Sequence, residues 1–427
     1  MINVFQPSLG EKELSAVAAV FADSWLGHGP RTSAFEAEFA AHLGVPAEQT
    51  IFISSATAGL YLATELLGLG PGDEVVMPTI SFVSAASAVA ATGARPVFCE
   101  VDPDTLNPSA EHIGRALTER TRAVLVLHYG GSPGDVERIA RLCEERGVAL
   151  IEDAACAVAS AVGGRACGTF GALSVWSFDA MKVLSTGDGG MLYVADPALA
   201  RRARRLAYHG LEQSSGLSAA RSAGADRAAD GTDETDRTDR TDRAAEDPAS
   251  DPAAGVPASG ARVPVRWWDL DVRDFGRRVI GNDLTAAIGS VQLRRLDAIL
   301  SRRRAVAETY DRLLAGLDGV RLPPPLPAGH TSSYYFYWVR LDPDIRDGVA
   351  SDLLKRGVYT TFRYPPLHRV PAYGPYAGPL PDAERASDTT LLLPLHAGLD
   401  DADVRTVAAE FRACVEARTA ARDKDAA

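Results

Sequence analysis

The chain has 427 residues, 46% hydrophobic and 23% charged, as in an ordinary globular protein long enough for one large domain and a smaller one. Its formal net charge of −12 argues against a nucleic-acid binder or a protein held on anionic membranes. Five cysteines without metal-ligand spacing, a start without a secretory signal and no apolar run approaching about eighteen residues fit a cytoplasmic protein with reduced thiols and no metal.

From about 50 to 200, short β-branched runs (EVVMP, RPVFCEV, RAVLVLHY, VALIEDA, LSVWSF, GMLYVA) alternate with helix-like stretches such as TAGLYLATELLGL and DVERIARLCEERG. Several runs are apolar at nearly every position. That predicts an α/β fold, a mainly parallel sheet with helices on both faces, whose ligands bind beyond the carboxyl ends of the strands. Residues 214–261 hold almost no large apolar side chains and carry an imperfect TDR repeat; between 226 and 251 ten acidic residues stand against four arginines. Such a stretch cannot bury enough surface to offset its ordering entropy and reads as a disordered loop, an inert insertion before a docking tail. Order resumes at PVRWWDLDV. From Asp283, helical spacing through Leu284, Ile288 and Val291, then Leu293, Leu296 and Leu300, predicts one long helix that the prolines at 323–327 end. YYFYWVRLD, VYTTFRYPPLH and a final helix predict a small α+β domain. The expected organisation is 1–213 as the large domain, 214–261 as the insert, 262–317 as a return to the large domain with a long interdomain helix, and 318–427 as the small domain.

Candidate chemistry follows the same order. In FISSATAGLYLAT, strand-like residues 52–54 run into a helix whose first turn holds Ser55, Thr57, Ala58 and Gly59. Small residues there let backbone N–H groups and a hydroxyl approach a phosphate at the positive helix end, although a plain Ser/Thr cap reads the same way. Phe82, after the EVVMP strand, suits either stacking on a planar ring or the core. VALIEDAA ends a buried strand on Glu152 and Asp153, which sets a carboxylate at the sheet's carboxyl edge. That carboxylate suits a pyridine ring whose nitrogen must stay protonated, or a helix cap. Ser177, five residues before Lys182, is a further phosphate contact. Lys182 itself is out of character. Of 44 lysines and arginines only residues 12, 182, 355 and 424 are lysine, and Lys182 alone has apolar neighbours, just ahead of a glycine-rich turn. An arginine would serve as a surface charge but cannot lose a proton and attack a carbonyl. Burial is expected to pull the pKa of this amine down from about 10.4, unless the side chain snorkels to solvent.

A phosphate pocket, an acidic partner for a ring nitrogen and an isolated lysine, in that order, describe a pyridoxal-phosphate site. The chain resembles the DegT/DnrJ/EryC1/StrS family of nucleotide-sugar aminotransferases nearly end to end apart from the insert. The resemblance runs through SWLGHGPRTSAFEAEF, SSATAGL, PGDEVVMPTISFVSA, HYGGSP, IEDAACA, SFDAMKVLSTGDGGM, NDLTAAIGSVQLRRLD, RYPPLH and LPLHAGL. It implies the aspartate-aminotransferase fold (fold type I), pyridoxal 5'-phosphate as cofactor, and a homodimer with active sites at its interface. It makes Lys182 the lysine that bonds the cofactor, Asp153 the partner of the ring nitrogen, Thr57, Ala58 and Ser177 the phosphate ligands, and Phe82 the stacking ring. Cys156 stands where relatives carry Gln or His against the cofactor's phenolic oxygen, and a thiol is a much weaker donor. Where many relatives have a GYNYR-like segment that reaches the neighbouring subunit's phosphate, this chain reads GRRVIGND, which leaves Arg278 or Asn282 for that contact.

The implied reaction moves an amino group from a donor, glutamate in the family, to an NDP-4-keto-6-deoxyhexose. SSATAGL and RYPPLH resemble relatives that aminate C4 more than C3. His28 of the GHGP loop, Tyr364 and His368 are candidates for the sugar-nucleotide side, with a structural role for His368 equally open. An Arg- and Ala-rich chain of this family suggests deoxysugar supply for a secondary metabolite such as an antibiotic. Relatives that remove a sugar C3 hydroxyl carry histidine in place of Lys182, which speaks against a 3-deoxygenase. A nicotinamide-dependent oxidoreductase would want GxGxxG between the first strand and helix, and none is present. A non-catalytic scaffold would have been signalled by loss of Lys182 or Asp153.

Overall fold

The computed structural model describes residues 1–212 and 270–425. In chain order the large domain gives β1 (Thr50–Ile53), β2 (Glu74–Pro78), β3 (Arg95–Cys99), β4 (Thr121–Leu127) and β5 (Ala149–Asp153). A short hairpin of β6 (Ala161–Val162) and β7 (Arg165–Ala166) follows, then β8 (Leu173–Ser177) and β9 (Gly190–Val194). Apart from the hairpin these strands form one sheet in the order β1-β9-β8-β5-β4-β2-β3. Its pairs are parallel from β8 to β3, and only β9 runs against the rest, antiparallel to both β8 and β1.

Every residue of β1, β2 and β9 is buried, which is why those runs read as apolar without alternation. Val75, Met77, Leu125 and Ile151 pack on one face of the sheet with Leu60 of the helix Ala56–Leu66 and Val89 of the helix Val83–Ala91. Their alternates Val76, Val124, Val126 and Leu150 pack on the other with Ile113 and Ile139. The period of two along each strand thus covers the sheet on both sides. Because β1 and β8 run with the parallel strands, Ser55, Phe82, His128, Asp153 and Ser177 all emerge at one edge.

The small domain pairs β11 (Tyr337–Arg340) antiparallel with β12 (Thr390–Leu393), after β10 (His330–Thr331) has joined the β6–β7 hairpin. Helices Pro343–Lys355 and Asp401–Asp425 cover it around Val339, Leu353, Leu391, Val407 and Phe411.

Two expectations need correction. The large domain does not begin at residue 1: Ile2 bridges to Val358, and the Leu395 N–H donates to the Val4 carbonyl at 3.2 Å, so the first residues complete the small domain. The long helix is two helices, Asp283–Arg294 and Leu296–Leu314. They meet at Arg295, whose guanidinium turns away to the Ser8 carbonyl at 3.0 Å and to Glu13. The insert expected at 214–261, and Trp267 and Trp268 after it, lie outside the described residues. All five cysteines are free and buried. Among the described residues no helix is long and apolar enough to cross a membrane, and no cluster of His, Cys, Asp and Glu could hold a metal.

Candidate active site

Asp153 ends β5 and is 2% exposed. Its Oδ1 accepts the Ala155 N–H at 3.1 Å, and among the described residues no donor reaches the other oxygen. Burial pushes its pKa up, offset only in part by the Ala155 N–H, Lys182 and His128. The neighbouring Glu152 serves the scaffold. It accepts the N–H groups of Gly168 at 2.7 Å and Gly171 at 2.6 Å and stands 3.0 Å from Nε2 of the buried His128.

Lys182 follows β8 in a turn closed by its own N–H on the Asp179 carbonyl at 2.9 Å. The residue is half-buried with its amine enclosed: Nζ lies 4.0 Å from Cys156 Sγ and 4.5 Å from the centroid of the Tyr335 ring. The Tyr364 hydroxyl stands 3.9 Å from the same sulfur. Burial alone would lower the Lys182 pKa, as the sequence led us to expect. Cys156, Tyr335 and Asp153 outweigh it, and the net shift is upward. That correction comes from distances: three acidic groups converge on one amine. Burial raises the pKa of Cys156 and of Tyr364.

The expected phosphate end is built by a glycine. Ser55 caps the helix Ala56–Leu66, its Oγ accepting the Ala58 N–H at 3.1 Å, and Thr57 is exposed in the first turn. Ser177 pairs with Gly190 across β8 and β9. A Cβ on Gly190 would stand 2.6 Å from the Ala56 nitrogen and 2.7 Å from the Trp176 carbonyl, so only glycine lets the helix start press against the strand ends. The end of β8 at Ser177 is thereby set beside the positive start of the helix that carries Thr57 and Ala58. Phe82, 44% exposed, meets the Tyr364 ring edge-on at 5.7 Å. These residues fit pyridoxal phosphate. A buried carboxylate with an unbonded oxygen suits a protonated ring nitrogen, an enclosed amine suits an aldehyde, and the glycine-opened helix start suits a dianion.

Among the described residues, the other sequence candidates make no hydrogen bond to this cluster. Asn282 caps its own helix, Oδ1 accepting the Thr285 N–H at 3.0 Å, and the Arg278 guanidinium covers the Tyr208 ring at 5.8 Å. His28 sits in a loop packed on Asp283, whose N–H donates to the Gly27 carbonyl at 2.9 Å; its Nε2 is buried without a partner, and burial lowers its pKa. His368 has both ring nitrogens engaged, with Thr79 Oγ1 at 2.7 Å and Glu384 Oε1 at 2.9 Å. It braces RYPPLH between β2 and the helix Pro381–Thr389, the structural alternative of the two open to it.

Tyr335 was missed. SYYFYWV reads only as aromatic core or interface, and nothing local says that one ring reaches Lys182. HYGG carries the signal. Gly130 and Gly131 have φ of 63° and 87°, and a Cβ on Gly131 would stand 2.8 Å from the Cys156 carbonyl. The Gly130 carbonyl accepts the Tyr335 N–H at 2.9 Å, which seats the small domain's entry strand over the site.

Comparison with known proteins agrees with this geometry. The sequence profile described as the DegT/DnrJ/EryC1/StrS aminotransferase family matches residues 7–225 and 263–412. A "dTDP-4-dehydro-2,3,6-trideoxy-D-glucose 4-aminotransferase" of Saccharopolyspora spinosa is 57% identical over 416 residues, 97% of each chain. Among solved structures, the aminotransferase TlmJ from Streptoalloteichus hindustanus is 57% identical with a TM-score of 0.84, over 98% of this chain and 99% of that one. DesV of S. venezuelae is 30% identical with a TM-score of 0.77, over 95% and 94%. Sheet order, an enclosed lysine facing a buried aspartate, and likeness along nearly the whole length converge, and the chain belongs to the DegT/DnrJ/EryC1/StrS aminotransferase family, whose enzymes depend on pyridoxal phosphate.

Proposed function

We propose that this aminotransferase moves an amino group from an amino acid, glutamate as the resemblance implies, to C4 of a nucleotide-linked 4-keto-6-deoxyhexose. The observation that carries the reading is the Lys182 amine, enclosed at the sheet's carboxyl edge by Cys156, Tyr335 and Asp153. The name of the Saccharopolyspora spinosa relative, a 4-aminotransferase of a 4-dehydro sugar, supports C4 over C3.

Pyridoxal phosphate, when bound, supplies an aldehyde carbon and a ring that draws electrons from the carbon being deprotonated. Lys182 would be the residue that bonds this aldehyde carbon. Once freed, its amine would carry the proton between the donor's Cα and C4′, acting first as base and then as acid. Water would release the donor as a 2-oxo acid while its amino group stays with the cofactor. With the keto sugar the same amine would move the proton the other way, the carbonyl oxygen leaving as water and the amino group passing to the sugar. Asp153 keeps a proton on the ring nitrogen. Thr57, Ala58 and Ser177 would hold the phosphate, Phe82 would pack against the ring, and Cys156 would lie toward the phenolic oxygen. Tyr364 and His28 face the sugar nucleotide, while His368 holds the Tyr364 segment in place. Arg278 or Asn282 reaches the phosphate of a neighbouring subunit in a homodimer. We place the enzyme in the cytoplasm, in the supply of an amino-deoxysugar to a secondary metabolite.

The test is a panel of nucleotide keto-sugars incubated with glutamate, with products identified by NMR. An equatorial or axial amine at C4 is the expected result. Amination at C3 alone would overturn the choice of carbon, and a 3-deoxy ketone would overturn the reaction class.

A further inference from the structure

We propose that the face of the Tyr335 ring is the seat on which the Lys182 ammonium rests whenever the amine is free, and that Tyr335 is therefore a positioning residue for proton transfer. This inference rests on Lys182 being the proton carrier of the reaction above.

The geometry is that of a cation on an aromatic face. Nζ stands 4.5 Å from the ring centroid, inside the roughly 6 Å over which such attraction acts. The ring is immobilised from several sides. Tyr335 is fully buried, stacks on Phe5 with centroids 5.5 Å apart and an interplanar angle of 18°, and packs against Phe336 at 4.4 Å. Its N–H is held by the Gly130 carbonyl, and its own carbonyl accepts Arg303 Nη2 at 3.0 Å. Arg303 also donates to the Tyr334 carbonyl at 2.8 Å and the Leu395 carbonyl at 2.8 Å. This arginine is 3% exposed, and all its bonds go to backbone carbonyls, so a buried cation is committed to fixing the peptide that carries the ring.

The other groups facing the amine cannot do the same work. Cys156 stands at 4.0 Å, where sulfur is a weak acceptor, and the Tyr364 hydroxyl meets that sulfur at 3.9 Å. Asp153 acts on the amine through charge from the end of β5, with no hydrogen bond to it among the described residues. Arg363, over the Phe5 ring at 5.0 Å and against Met181 Sδ at 3.6 Å, adds only like charge. An aromatic face holds an ammonium without exchanging a proton with it. The freed lysine thus stays protonated and parked until a substrate draws it off the ring, which favours the step in which it gives a proton.

The scarcity of lysine makes this measurable. The enzyme loaded with pyridoxamine phosphate, in which Lys182 is free, is acetylated competitively across pH and read by peptide mass spectrometry; Lys12, Lys355 and Lys424 serve as references in the same tube. Native Lys182 is expected to titrate above the ordinary lysine value. In Tyr335→Leu it should titrate lower and react about tenfold faster below its pKa, the loss expected from removing a partly buried cation–ring contact. Tyr335→Phe and Tyr335→Trp keep a ring and should keep the native titration. The pH profile of the sugar half-reaction should shift with the titration. A Tyr335→Leu enzyme indistinguishable from native overturns the proposal, as does a Phe variant that falls as far as Leu. If the Leu variant does not fold, a Trp variant with lowered titration overturns it equally. The titration is independent of which sugar is aminated. A Lys182→Arg enzyme with full turnover would instead remove the functional reading on which the proposal rests.

Discussion

Among the described residues Asp153 carries a single hydrogen bond although it is almost fully buried, and burial raises its pKa. Its folded pKa lies above its unfolded one, so its contribution to stability is present at acid pH and is lost as pH rises through the folded value. At neutral pH the carboxylate therefore works against the fold that positions it. Asp153→Asn should raise the melting temperature of the cofactor-free protein at pH 7, by an amount on the order of 1 kcal/mol in stability, and the gain should shrink toward pH 4. Turnover of the loaded enzyme should fall by at least about 10²-fold, since nothing then keeps the ring nitrogen charged. Calorimetry at the two pH values and a steady-state assay check both halves; a variant less stable than native at pH 7 would contradict the first. Asp153 and Lys182 were legible because each breaks a habit of the sequence, an acid at the end of an apolar strand and a lysine in an arginine-rich chain. Tyr335 was not, because its place depends on the Gly130 carbonyl and on Arg303, contacts that no local pattern announces. The direction of the Lys182 shift failed for a related reason: burial can be guessed from neighbours in sequence, but the convergence of Cys156 and Tyr335 cannot.

At the scale of elements, Gly190 decides whether the helix Ala56–Leu66 can close on the ends of β8 and β9. The atoms its Cβ would strike are all backbone: Ala56 N at 2.6 Å, Trp176 O at 2.7 Å and Ser55 C at 2.8 Å. No side chain can yield, so Gly190→Ala must push the helix start away from the strands. Gly190 is the first residue of β9, so the strain falls where that strand begins between Ile53 and Ser177; the rest of the sheet and core should stand, while the grip on the phosphate loosens. We expect pyridoxal-phosphate affinity to drop about tenfold, near 1.4 kcal/mol, measured by absorbance titration, with far-ultraviolet circular dichroism unchanged. An unchanged affinity would place the phosphate away from this helix. The strands themselves were readable because a sheet covered on both faces leaves apolar residues at successive positions, as in β2 and β9. The break at Arg295 was not readable. The helical spacing of apolar residues continues through it, and only the distant Ser8 carbonyl and Glu13 draw its guanidinium aside. The first residues were misplaced for the same reason, since their partners Val358 and Leu395 come more than three hundred residues later.

For the whole molecule the open question is the site's completeness within one chain. Residues 278–282 run along the edge strand β1, with the Ser54 N–H on the Val279 carbonyl and the Gly281 N–H on the Phe52 carbonyl, both at 2.7 Å. This strap starts the helix Asp283–Arg294, and beside it Val272 and Phe275 stand exposed. So do Leu14 and Phe21 on the helix Glu11–Ala22. Large apolar side chains left in water on one part of a surface suit cover by a second copy. Charge does not oppose such contact strongly: of the net −12, the stretch from 226 to 251 contributes ten acids less four arginines, or −6. If Arg278 and Asn282 serve the neighbouring subunit, two inactive enzymes should rescue each other. Lys182→Ala lacks the amine, and a double Arg278→Ala/Asn282→Ala variant lacks the reaching residues. A mixed dimer then has one site with both defects and one with neither. Random pairing makes half of the dimers mixed, so equal amounts unfolded and refolded together should recover about a quarter of native activity at limiting cofactor. If the two residues act within their own chain, every site in the mixture keeps a defect and no activity returns.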